Sequence, residues 1–252
     1  MESRRFHQQH VVITGAASGI GAAMARRFAA EGATVHLIDL NAEALGQLAA
    51  ELGAEAHSWP CDVTDAGAMA AIIDGLPRID VLINNAGIGL IGTVEQTTPE
   101  DFDRLMRVNA HGVFHGLRAA IPRMKAQGGG VVLNMGSVAA KIGIEARFAY
   151  SATKGAVLAM TLSVARDYAG DNIRCNCLCP ARVHTPFVDG YLAKNFPGQE
   201  AEVFEKLSAW QPIGRMATPD EVAGFAAWLC SAEAAFVTGA SYDFDGGAVS
   251  LR

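Results

Sequence analysis

The chain has 252 residues, half of them apolar, 18% charged and 27 of them glycine, with 20 basic against 26 acidic side chains and a formal net charge of −6. This composition excludes a disordered chain, which is poor in apolar residues, and a collagen, because the glycines follow no three-residue period. The acidic balance argues against a broad nucleic-acid-binding face. No run of 18 apolar residues is present, so no partner membrane is expected. MESRRFHQQH has charges with no apolar stretch behind them, unlike a secretory signal. Five cysteines, an odd number, suggest reduced thiols and a cytoplasmic location.

In chain order, the β-branched run at 10–14 ends at a glycine and predicts a first strand. A helix is expected over 20–31, where Ile20, Met24, Arg27 and Phe28 fall at helical spacing. TVHLID at 34–39 predicts a second strand, followed by a helix over 41–52 that opens on Asn41 as a cap. Further strands are expected at 55–59, 79–83, 130–135, 172–178 and 241–245, and helices at 65–75, 99–125, 148–169 and 219–231. Strands alternating with helices of this length indicate parallel βαβ units. Runs such as VLIN and VVLNM suit strands buried on both faces. Length alone admits one or two domains. The unbroken rhythm points to one α/β domain over 1–252, doubly wound around a mostly parallel seven-stranded sheet. The stretch 182–216 breaks the rhythm with Pro186, Pro197, Pro212, Phe187 and Tyr191 and shows no clean long period, which predicts a lid over a substrate site.

Several motifs carry chemistry. Thr14-Gly15-Ala16-Ala17-Ser18-Gly19-Ile20-Gly21 falls at the first strand-to-helix turn. Glycines there allow a tight turn and close backbone approach to a pyrophosphate, and the following helix offers free N–H groups. A tight turn without ligand is the plain alternative. Asp39 closes the second strand, 24 residues after Gly15, where an acid can bind the adenosine ribose hydroxyls and repel a 2′-phosphate. No arginine or lysine lies at 16–18 or 40–42, so NAD is expected rather than NADP; capping of a helix near Leu40 is the other reading. Tyr150 and Lys154, four apart, share one helical face. A free tyrosine titrates near pH 10, and a nearby ammonium favours the phenolate, which suits proton transfer to or from an alcohol. A solvated pair is the alternative. Ser137 falls at a strand end 13 residues before Tyr150, where it can polarise a carbonyl. Asn109, mid-helix, either holds a water in a proton relay or packs.

Together these residues resemble the short-chain dehydrogenase/reductase family, from Thr14 to Gly247. The glycine motif fits TGxxxGIG, and Asn84-Asn85-Ala86-Gly87 fits the NNAG that steadies the sheet and flanks the cofactor. Asn109, Ser137, Tyr150 and Lys154 match the family's catalytic tetrad, and Asp62-Val63 the pair that contacts the adenine. Gly214-Arg215, Pro219 to Ala223, Val237-Thr238-Gly239 and Asp245-Gly246-Gly247 match its C-terminal signatures. The resemblance implies a Rossmann-like fold, NAD(P)-dependent hydride transfer between alcohol and carbonyl, and a homotetramer or dimer. Where the family reads PGxVxT, this chain has Pro180-Ala181-Arg182-Val183-His184-Thr185: Val183 and Thr185 keep the positions that meet the nicotinamide carboxamide, and Arg182 places a charge beside it.

Arg182 and Arg147, the latter three residues before Tyr150, suggest an anionic substrate if they converge, since the guanidinium fork matches a carboxylate. Pairing with Glu145 or Asp189 is the alternative. His184, Phe187 and Tyr191 either wall the same pocket or pack the lid. Cys175, Cys177 and Cys179 alternate along one strand, but no second Cys or His cluster has zinc spacing, so no metal is expected. CPARVHTPFVDGYL and the Asp243–Gly247 ending also resemble the 2-keto-3-deoxy-L-fuconate dehydrogenase group, which implies NAD-dependent oxidation of the C4 hydroxyl of a 2-keto-3-deoxy-L-sugar acid. The open alternatives are a neutral polyol, a steroid or a 3-oxoacyl thioester, and, remotely, a nucleotide-binding sensor without turnover. In the family's tetramers a C-terminus can lie near a neighbour's pocket, which singles out Arg252.

Overall fold

A computed structural model describes residues 4–251. Arg252 therefore lies outside the described residues, as does the side chain of Phe187. The chain runs β1 (His10–Thr14), α1 (Gly19–Ala30), β2 (Thr34–Asp39), α2 (Ala42–Leu52), β3 (Ala56–Pro60), α3 (Ala66–Gly75), β4 (Val81–Asn84), α4 (Pro99–Met106), α5 (Gly112–Ala126), β5 (Gly130–Met135), α6 (Phe148–Tyr168), β6 (Ile173–Pro180), α7 (Pro186–Asn195), α8 (Glu200–Ala209), α9 (Pro219–Cys230) and β7 (Ser241–Phe244). The seven strands form one sheet in the order β3-β2-β1-β4-β5-β6-β7, every pairing parallel. The fold is a single Rossmann-like α/β domain.

Period-two alternation splits the core between the two faces. Val11 and Ile13 of β1 join Met24, Phe28, Leu37 and Val222 under α1, α2 and α9. Val12 faces the other way, with Met69, Ile73, Leu117, Met124 and Val157 under α3, α5 and α6. Strand β3, at the sheet edge, is the polar AHSWP and is half exposed, as an edge allows. Among the described residues no helix is long and apolar enough to cross a membrane.

Two expected elements differ from the sequence reading. The helix expected over 99–125 is broken: α4 and α5 are separated by a π-turn at Arg107–His111, where the Gly112 N–H reaches back to the Arg107 carbonyl. The 182–216 stretch, expected to be irregular, contains α7 and α8. Pro186 sits in the first turn of α7, where its missing N–H costs nothing, and Pro197 follows its end. The apolar spacing was too weak to show either helix.

A row of imidazoles crosses β1, β2 and β3, the first two of which carry the glycine turn and Asp39. His36 of β2 stacks between His10 of β1 and His57 of β3, with centroids 5.2 and 5.3 Å apart. His36 is 2% exposed. Its Nε2 pairs with His10 Nδ1 at 2.9 Å, while its Nδ1 has no partner. Protonation would bury an N–H⁺ with no acceptor, so burial first, then the neighbouring imidazoles, lower its pKa from 6.5 to about 4. The unfolded chain then binds a proton below its ordinary pKa that the folded chain refuses, so stability rises with pH across this window and is lost as pH falls from about 6.5 to about 4. The contribution at stake is about 3 kcal/mol. Urea midpoints at about pH 7 and about pH 4.5 should differ more for the wild type than for His36→Leu; equal pH slopes would refute this.

Candidate active site

Parallel strands open a crevice at their carboxyl ends where the strand order reverses, here between β1 and β4. The glycine turn after β1 sits on that crevice. Gly15 has φ +65°, and a Cβ there would come 2.7 Å from Ala86 Cα; a Cβ on Gly21 would run into the Gly15 carbonyl. Thr14 Oγ1 accepts from the N–H groups of Asn85 and Ala86 at 3.0 and 3.1 Å. Asn85 Nδ2 returns bonds to the Thr14 and Gly15 carbonyls, each 3.0 Å. Ser18 is the N-cap of α1 but makes no side-chain cap bond, and no acid occupies the first turn. The N–H end of α1, behind Gly19, Ile20 and Gly21, is thus left for an anion, which fits a dinucleotide pyrophosphate.

A cavity of about 470 Å³ runs from this turn past Asp39, Asn85, Ala86 and Gly87 to Ser137, Tyr150 and Lys154. Asp39 does not cap a helix: Asn41 caps α2 by accepting from Ala44 N at 3.1 Å. The Asp39 carboxylate accepts from Ala17 N at 3.0 Å and Asn41 N at 2.9 Å, which fixes it beside the glycine turn. Asp62 and Val63 follow β3 at the same sheet edge, where Cys61 N bonds the Asp39 carbonyl, but neither lines the cavity. Asp62 Oδ1 accepts from Thr64 N at 2.8 Å and the Val63 carbonyl meets His115 Nδ1 at 2.9 Å. Pro180, Val183 and Thr185 line the cavity at the exit of β6.

The four catalytic candidates come from three elements. Ser137, at the end of β5, is buried and its Oγ accepts from Ala139 N at 3.2 Å, which leaves its own proton to donate. Tyr150 and Lys154 lie in the first two turns of α6. Lys154 is 6% exposed; Nζ donates to the Met135 carbonyl at 2.7 Å and stands 5.8 Å from the Tyr150 ring centroid. Asn109 is fully buried in the π-turn. Its Oδ1 accepts from Ile88 N at 2.8 Å, and its Nδ2 donates to the Ile88 carbonyl at 2.9 Å and to Thr153 Oγ1 at 3.1 Å. Both amide hydrogens are therefore spent on protein, so the side chain clamps the loop after Asn84-Asn85-Ala86-Gly87 instead of donating to a water. Thr153, itself buried, donates to the Tyr150 carbonyl at 2.8 Å. The sequence reading missed it, although it stands inside the Tyr-to-Lys spacing.

Arg147 and Arg182 line the same cavity as Tyr150. Arg147 Nη1 donates to the Leu90 carbonyl at 3.2 Å and its guanidinium is 6.0 Å from the Tyr150 ring centroid. Arg182 lies over Trp210, 5.3 Å from the ring centroid. Asp189, considered as a partner for an arginine, instead meets His184 Nε2 at 2.7 Å. The His184 ring packs edge-on against Phe204 and Tyr191 against Phe196, so both pack the cover and neither lines the cavity. Val188, Leu207, Trp210 and Met216 do line it; no motif announced them, because their positions depend on how α7 and α8 fold back. Cys175, Cys177 and Cys179 are buried thiols, 3.7 Å between the sulfurs of the last two. Burial pushes Cys175 up to about 12, so it stays a neutral core residue. Asn109→Ala should cost about 2–4 kcal/mol, since it leaves the Ile88 N–H and carbonyl unpaired. Urea denaturation reads this, and unchanged stability would show that the amide is not a clamp.

The model of the family described as enoyl-(acyl carrier protein) reductase matches residues 15–249. The chain is similar to the 2-(R)-hydroxypropyl-CoM dehydrogenase of Xanthobacter autotrophicus, 39% identical over 93% of this chain and 96% of that one. It is also similar to the D-threitol dehydrogenase of Mycolicibacterium smegmatis, 38% identical over 94% and 91%. Among solved structures, the L-sorbose reductase of Gluconobacter frateurii, complexed with NADPH and L-sorbose, superposes with a TM-score of 0.93 at 29% identity, over 99% of each chain. The family model and these relatives match nearly the whole chain, and the chain belongs to the short-chain dehydrogenase/reductase family of oxidoreductases, whose fold binds a nicotinamide cofactor.

Proposed function

We propose that the protein is an NAD-dependent dehydrogenase that oxidises a secondary alcohol on a small sugar acid: the C4 hydroxyl of 2-keto-3-deoxy-L-fuconate or a related 2-keto-3-deoxy-L-sugar acid. The observation that carries this reading is that Arg147 and Arg182 line one cavity with Ser137, Tyr150 and Lys154. A guanidinium fork binds both oxygens of a carboxylate, and two of them beside the reacting hydroxyl select for an anion. The preference for NAD is supported by the Asp39 carboxylate at the ribose end of the cavity, which repels a 2′-phosphate.

Roles follow from the geometry. A nicotinamide cofactor bound along the glycine turn supplies the hydride acceptor. Ser137 Oγ, with its proton unspent, orients the substrate oxygen. Tyr150 Oη takes the hydroxyl proton, with the Lys154 ammonium keeping a positive charge beside the ring. Lys154 would also hold the nicotinamide ribose, and Asn109 holds the Ile88 main chain that floors the site. The 182–216 segment acts as the substrate lid. Phe114, Phe148 and Leu162, each nearly half exposed on α5 and α6, supply apolar surface for a cytoplasmic homotetramer.

A second reading, a neutral polyol substrate, is favoured by the similarity to a D-threitol dehydrogenase and an L-sorbose reductase. NADH formation decides between them, with NAD and NADP compared on 2-keto-3-deoxy-L-fuconate, other sugar acids, their neutral polyol counterparts and a 3-hydroxyacyl thioester. Activity confined to the acids with NAD is expected; turnover of neutral alcohols only would remove the arginine argument. Arg182→Ala should raise KM for the acids by about tenfold to a hundredfold, the worth of a charged hydrogen bond. Tyr150→Phe should lower kcat by about 10²–10⁴-fold while NAD still binds; unchanged turnover would sink the role given to Tyr150.

A further inference from the structure

Arg182 leaves β6 two residues after Pro180, and its main chain is tied on both sides. Its N–H donates to Gln211 Oε1 at 2.9 Å, and its carbonyl accepts from Ala217 N at 3.1 Å. Gln211 is 2% exposed. Its Nε2 donates to the Arg215 carbonyl at 2.8 Å and the Ser208 carbonyl at 3.3 Å. One buried amide therefore joins the exit of β6, the last turn of α8 and the segment returning to α9. Next to it in the chain, Trp210 closes α8 and lies under the Arg182 guanidinium, and both line the cavity.

Stacking on an indole occupies the face of a guanidinium, whereas a carboxylate is bound by its in-plane edge. Trp210 can thus limit where the Arg182 guanidinium sits through a contact that is not itself a hydrogen bond. A side chain already restricted in this way loses less rotamer freedom when the anion arrives.

We infer that Trp210 and Gln211 are positioning residues for Arg182, so that the seating of α8 against the exit of β6 presents the charge that selects an anionic substrate. The inference rests on the anionic-substrate reading above and deepens it. Its test needs no turnover. 2-Oxobutyrate and its neutral counterpart 2-butanone are titrated calorimetrically into the enzyme–NAD complex, and the ratio of their affinities is the readout. A general loosening of the fold lowers both affinities together, whereas misplacement of Arg182 lowers only the acid's.

The wild type should prefer the acid, and Arg182→Ala should lose that preference. Trp210→Leu, which keeps apolar bulk without an aromatic face, should cut the ratio by about three- to tenfold, and Trp210→Phe should restore most of it. Gln211→Ala should act in the same direction as Trp210→Leu. If Trp210→Leu and Gln211→Ala keep the wild-type ratio while Arg182→Ala loses it, or if they weaken both ligands equally, the positioning role is overturned and the anionic reading stands. If Arg182→Ala keeps the ratio, or the wild type shows no preference, the anionic reading itself fails and this inference falls with it.

Discussion

The rest of the site depends on the joint between β1 and β4. The strand order reverses there, so two loops leave the sheet side by side and diverge. Diverging loops expose main-chain groups that no strand neighbour satisfies. Thr14 and Asn85 solve this reciprocally: one hydroxyl takes two N–H groups from the β4 loop, and one amide gives two bonds back to the β1 loop. The close approach of Gly15 to Ala86 follows from that lacing, and it brings the glycine turn and the Asn85-Ala86-Gly87 loop to line one cavity. A side chain on Gly15 would push the two loops apart before it touched any ligand.

Further along the crevice the same logic fixes the reacting groups. Asn109 sits in a π-turn whose extra residue breaks the ordinary helical ladder. Its amide leaves the helix to hold both main-chain groups of Ile88, and Thr153 carries the connection on to the first turn of α6. Lys154 is buried against a main-chain carbonyl, and among the described residues no carboxylate pairs with it. A buried ammonium held so lightly weakens the fold. It is the kind of local cost that proteins tolerate where a charge has chemical work to do.

How much of this was legible follows from which forces write themselves into sequence. The central strands were readable because burial on both faces demands unbroken apolar runs, as in VLIN of β4 and the centre of β5. Tyr150 and Lys154 were readable because a helix turns their spacing into proximity. The break at Arg107–His111 was not, since Asn109 leaves the helix for Ile88, a partner 21 residues away that no local pattern reveals. Helices α7 and α8 were hidden for a related reason. Neither carries a clean apolar stripe; contacts such as Tyr191 on Phe196 at the end of α7, and His184 ahead of α7 on Phe204 of α8, hold them in place. Trp210 could not be read as cavity-lining without knowing that fold-back.

These two kinds of legibility divide the protein by function. The reacting groups hang from sheet ends and from α6, elements fixed by a core that tolerates little change. On the function proposed above the substrate lid is 182–216, a surface segment tied to its surroundings by bonds of Arg182 and His184 to Ala217 and of Ile213 to Gly246, and braced from within by Gln211. Substitutions in that segment can alter which alcohol enters without disturbing the serine, tyrosine or lysine. Relatives of similar fold are named for hydroxypropyl-CoM, D-threitol and L-sorbose. In this chain Arg182 is held at the boundary between the two parts, with its main chain on the exit of β6 and its guanidinium on the indole that closes α8. On the function proposed above, chemistry and selectivity meet at that one residue, whose charge separates an anionic from a neutral substrate.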